Sequence, residues 1–171
     1  MSTGDLTTLY RASSNLTVTT LAGIASSATW VAGWTSGTID NTSTLDLDHL
    51  ISAKITVESA SLVAGEIRVY LYTMLDDSTW PDLFSAGTEG TEGTATLHDT
   101  EIRDSGLYLL WATVTDTSAS RVYTMPQTSV VTRVGGLPAK YALFVAQSTG
   151  TTLETSGQQV TVKGTAVNVA P

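Results

Sequence analysis

A chain of 171 residues with 16 acids, 8 bases and no cysteine is long enough for one domain with its own core, and it excludes disulfides, thiolate chemistry and cysteine-ligated zinc. The net charge of −8 argues against electrostatic docking on nucleic acid, because each phosphate contact calls for a Lys or Arg. Charged residues are only 14% of the chain, and Thr, Ser, Gly and Ala stand in their place, which suits exposed sheet faces better than exposed helices.

Residues 1–15 read as an arm, with Leu6, Leu9, Tyr10 and Arg11 as its contact-making side chains. The opening Met1-Ser-Thr-Gly-Asp-Leu has no basic run followed by an apolar one, so no signal peptide is expected. No apolar stretch approaches the ~20 residues that span a bilayer, and no membrane partner is expected. Synthesis in a cytosol follows, and the sequons at Asn15 and Asn41 are then chance matches in a chain rich in Thr and Ser.

Residues 16–171 form the domain, which is expected to be an all-β, antiparallel sandwich of jelly-roll type with about eight or nine strands and little helix. Strands are expected at Leu16–Thr20 and Ala28–Trp34. In Leu45–Glu58, Ile51, Ala53, Ile55 and Val57 face one way and Ser52, Lys54, Thr56 and Glu58 the other, with a break of phase near His49. Gly65–Leu75 alternates likewise, and the short link 59–65 predicts that it pairs with the preceding strand as a hairpin. The apolar run Gly106–Val114 predicts a central strand covered on both faces. Pro126 separates Arg121–Met125 from Thr128–Val134 and marks an edge or a break. Lys140–Gln147 and Val160–Val169 complete the set. The long loop 76–95 allows one helical turn at Thr79–Phe84, with Pro81 in its first turn. In this loop Trp80, Pro81, Asp82 and Phe84 are the candidate contact residues, and Trp80 is expected to be exposed.

No reactive centre emerges, so the chain is read as a non-enzyme without cofactors. His49 reads as an ordinary, partly buried imidazole. His98 and Asp99 are neighbours on a strand start, where adjacent side chains point to opposite faces. Asp46, Asp48, Asp76 and Asp77 complete no calcium loop, and no paired-histidine zinc motif exists. Trp30 and Trp34, four apart, are expected on one face and more readily as core than as a sugar-stacking platform.

Several segments together resemble a family of small structural proteins of tailed bacteriophages: Ala32–Thr42, Leu47–Thr56, Ala64–Tyr72, the Asp-Asp…Trp-Pro-Asp loop, and Gly136–Gly150 before the last strand. The resemblance runs from about residue 28 to the end and is one of texture, without a diagnostic motif. It implies a virion component assembled in a bacterial cytoplasm, specifically a cement or decoration protein on the capsid surface. Its partner would be the major capsid protein, with a dimer or trimer of the chain itself. A glycan- or receptor-binding sandwich on a head or tail fibre, and a tail or connector protein, are the alternatives.

Overall fold

The computed structural model describes residues 6–58, 63–118 and 120–169. In chain order the strands are β1 (Leu6–Tyr10), β2 (Ser14–Asn15), β3 (Ala32–Thr35), β4 (Ile39–Asp40), β5 (Asp48–Thr56), β6 (Glu66–Thr73), β7 (Phe84–Ala86) and β8 (Gly93–Leu97). Helix α1 (Thr100–Gly106) follows, then β9 (Tyr108–Val114), β10 (Val122–Ser129), α2 (Val130–Val134), β11 (Lys140–Gln147) and β12 (Gln159–Val169). Two antiparallel sheets result. One runs β1-β12-β5-β10, with β2 continuing the β1 edge along β12; the other runs β7-β8-β3-β11-β6-β9, with β4 on β11. The all-β sandwich is as expected, with more and shorter strands.

The core between the sheets takes alternate residues from each. Ile51, Ala53, Ile55 and Val57 of the β5 segment meet Ile67, Val69 and Leu71 of β6 and Tyr141, Leu143 and Val145 of β11. His49 keeps the phase of that inward series and is buried, so the expected break there does not occur.

The second sheet is covered on its other face as well. Tyr70, Tyr72, Ala142, Phe144 and Ala146 point away from the sandwich and, with Phe84 and Leu97 of the same sheet, pack under Leu83 and Leu107. The loop 76–95 therefore contains β7 and the start of β8, which extend the second sheet, while its remaining residues form a third layer over the outer face of that sheet. Its closure is chemical: Glu89 Oε1 accepts from the N–H groups of Leu83 and Phe84 (2.9 and 3.0 Å), and Gly90 N–H donates to the Tyr72 hydroxyl (2.9 Å). Gly90 has φ +68°, and a Cβ there would run into the Trp80 ring and Thr38 Oγ1, so only glycine fits.

Several local expectations are corrected. The strands β5 and β6 belong to different sheets and do not form a hairpin; residues 59–62 of their link lie outside the described residues. The apolar run at β9 is an edge strand with Tyr108, Leu109 and Val114 exposed, and the doubly covered central strands are β6 and β11. Residues 16–20 are not strand, although Leu16 and Val18 pack on the core. No helical turn forms at 79–84. The two helices lie elsewhere, each started by a side-chain cap: Asp99 accepts from Ile102 N–H, and Ser129 from Thr132 N–H. Pro126 sits on the edge strand β10 at a register shift between Met125 and Thr128, as its missing N–H requires.

Candidate functional site

Leu6–Tyr10 of the expected arm is strand β1, laid antiparallel on β12 from Leu6 opposite Val169 to Tyr10 opposite Thr165; residues 1–5 lie outside the described residues. Because β5 starts at Asp48 opposite Thr165, the last residues of β12 pair with β1 alone. A two-stranded ribbon thus ends this edge of the sheet, and it is unusually apolar for an exposed element. Leu6 is 73% exposed, and Leu9, Tyr10 and Val167 are also open to solvent.

Beside it, the turn that leads into β5 exposes Leu45 (73%) and Leu47 (60%). This turn is held rigidly. The Asn41 side chain accepts from the N–H of Asp46 and the hydroxyl of Thr44, and donates to the Asp46 carbonyl (2.8, 2.8 and 3.0 Å). Leu45 sits at φ +50°, a left-handed conformation that costs a branched residue energy and that the bracket around it sustains. The Leu47 N–H donates to the Thr165 carbonyl (2.7 Å), which ties the turn to β12.

Under the ribbon lies a polar chain that starts at the exposed Arg11 and is buried from Asp46 inward. Arg11 Nε donates to Asp46 Oδ1, and another Arg11 nitrogen donates to the Thr44 carbonyl (2.8 Å). Asp46 Oδ2 faces His49 Nε2 at 3.4 Å, and His49 Nδ1 is 2.7 Å from the Tyr141 hydroxyl. The chain therefore links the N-terminal segment, the 41–46 turn, β5 of one sheet and β11 of the other. Burial holds the His49 imidazole below its ordinary value against the opposing pull of Asp46 and Asp48, and burial also pushes the Tyr141 phenol up. In the neutral form that burial favours, Nε2 carries the proton toward Asp46 and Nδ1 accepts from Tyr141. Gly164 of β12 lies over Asp46, and a Cβ there would overlap Asp46 Oδ2. Arg11, Asp46, His49 and Gly164 also line an open cleft of about 300 Å³. With the Tyr141 side chain fully buried, the arrangement fixes the arm to both sheets and presents no phenolic oxygen to a ligand.

The structure brings together Leu6, Leu9, Tyr10 and Arg11, but it separates them from Trp80, Pro81 and Asp82 of the third layer and from Phe84 of β7. Phe84 is buried at 7% exposure, and Trp80 is half-buried with its ring edge-on to Tyr72 at 5.3 Å between centroids. Exposure of Trp80 is thus corrected; Pro81 is half-buried, and Asp82 is exposed with its carboxylate 3.3 Å from His98 Nε2. Leu45, Leu47, Asp46 and His49 complete the surface and its support. The Leu45/Leu47 alternation ahead of a strand was the available signal for the first two.

None of the four tryptophans is exposed. Trp34 is fully buried in the sandwich core, while Trp30, at φ +54° in a turn, packs against the third layer under the Arg68 guanidinium, 3.7 Å from the ring centroid. The two therefore do not share a face. Asp48 accepts from Val131 N–H (3.0 Å), and among the described residues no three His, Asp or Glu side chains are grouped to hold a metal ion. A scan against protein-family models finds no match for this chain, and a search of curated proteins finds none either.

Proposed function

We propose that this chain is a structural, non-enzymatic virion protein of a tailed bacteriophage: a cement or decoration protein that binds the major capsid protein on the capsid surface and stabilises the head. What supports this reading is the exposed apolar pair at the ribbon end, where Leu45 and Leu47 stand out from a braced turn that the Leu47 N–H ties to β12. Exposed leucines held in place by buried hydrogen bonds suit a rigid clamp, since little conformational entropy is lost on docking. Repetition over a symmetric shell turns such modest contacts into strong retention. The glycan-binding alternative is the less favoured reading, because Trp34 is fully buried and Trp30, Trp80 and Trp111 are half-buried against their neighbours.

The test is addition of the purified chain to expanded heads that lack it, followed by sedimentation and calorimetry. Binding with a raised head melting temperature is expected. Burying one leucine contributes about 1.5–3 kcal/mol, so the double change Leu45→Asp/Leu47→Asp is expected to weaken binding at least about tenfold while leaving the free protein's melting temperature in place. Absence of binding to heads overturns the proposal, and recovery of the chain with tails alone on partial dissociation favours the tail or connector role.

A further inference from the structure

The four sheet edges among the described residues are not alike. Strand β7 has three residues, β10 carries Pro126 and a register shift, and β9 is flanked by α2 and β10. Each is blunted in one of the ways that keep edges from pairing. Strand β1 has none of these protections. It is regular, Leu-Thr-Thr-Leu-Tyr carries no charge, and every one of its five residues is exposed.

Its backbone directions follow from one hydrogen bond. Arg11 N–H donates to the Gly164 carbonyl (2.9 Å), so Arg11, Leu9 and Thr7 turn their backbone groups toward β12. Leu6, Thr8 and Tyr10 turn theirs outward, where no strand among the described residues receives them. That set is symmetric about Thr8. We propose that β1 pairs antiparallel with β1 of a second copy across a two-fold axis at Thr8, fusing two sheets into one continuous sheet.

In this register Leu6 of each copy lies opposite Tyr10 of the other, and Thr8 meets Thr8. Aromatic–aliphatic and Thr–Thr cross-strand pairs are favourable ones. Charge favours the same choice of occupant. A chain of net charge −8 repels its own copy over most of its surface, but β1 is neutral and the adjacent Arg11 is held by Asp46. A two-fold contact of this kind is self-complementary and closes at two copies. With five residues per copy in the ladder, association is concentration-dependent. It leaves Leu45 and Leu47 off the pairing edge, and it does not depend on the capsid reading.

Sedimentation equilibrium of the full chain from micromolar to millimolar concentration tests this, with two variants. Thr8→Pro removes an N–H that points away from β12 and so spares the intramolecular ladder. Thr8→Lys sets two cations against each other on the axis. The wild type is expected to approach twice the 17.9 kDa chain mass, and both variants are expected to stay monomeric with at least a tenfold weaker self-association and an unchanged melting temperature. If Thr8→Pro also lowers the melting temperature, Thr8→Lys decides. A wild type that is monomeric throughout, a trimer, or a dimer that survives both substitutions overturns the proposal.

Discussion

Phe144→Ala is expected to destabilise the protein by about 3–5 kcal/mol, the range for removing a buried aromatic ring, and to lower the melting temperature by on the order of 10 °C for a chain of this size. The side chain is fully buried on the outer face of β11, with ring centroids 5.8 Å from Phe84 and 6.3 Å from Tyr70. Gly33 of the neighbouring strand makes room for it: a Cβ there would crowd the tip of the Phe144 ring and overlap the Val145 carbonyl. The neighbours on that face cannot collapse into the gap, because Glu89 and Gly90 fix the layer above through hydrogen bonds to Leu83, Phe84 and Tyr72. Thermal and denaturant unfolding give the magnitude. Tryptophan emission is expected to shift to the red as Trp80 loses its seat against Tyr72, and an unshifted spectrum with a small change in stability would mean that the third layer does not depend on this ring.

This layer also marks where sequence reading stops. The alternation of β5 and β6 is legible, because a half-buried strand writes its two faces at every second residue. Their separation into different sheets is not, since partner choice is decided by contacts distant in sequence. Strand β11 shows the same limit from within. Its Ala142, Phe144 and Ala146 look like the polar-side equivalents of Tyr141, Leu143 and Val145, yet both sets are buried, against two different layers. The apolar run of β9 misleads in the opposite sense: hydrophobic residues need not be inside, and an edge leaves Tyr108 and Leu109 open. Of the surface, Leu6, Leu9 and Tyr10 were legible as lying outside the core, because nothing in the stretch 6–10 asks for burial. Asp46 was not. An aspartate in a Thr-rich turn reads as solvated until Arg11 and His49 arrive from elsewhere in the chain.

Asp46→Ala is expected to cost about 3 kcal/mol, at the lower end of the range for breaking a buried ion pair, because Arg11 is 40% exposed and regains water when its partner is lost. His49 contributes as well, because its Nε2–H loses the carboxylate that it faces. The same residue sets a pH dependence whose sign is fixed. Burial lowers the folded-state value of His49 below the ordinary 6.5, so the unfolded chain binds the proton more readily. Stability from this group is fully present above pH 6.5 and is lost as the pH falls from there through the folded value. Wild-type stability is thus expected to decline as the pH falls below 6.5, before most carboxylates titrate, and His49→Gln is expected to flatten that first part of the decline. Asp46→Ala is expected to steepen it, because the carboxylate that supports the protonated ring is gone and the folded value drops further. Denaturant midpoints of the three proteins at half-unit intervals of pH measure this directly. Parallel curves for all three would remove His49 from the acid response and leave the Arg11 contacts with Asp46 and Thr44 as the tie between the N-terminal segment and the turn that carries Leu45.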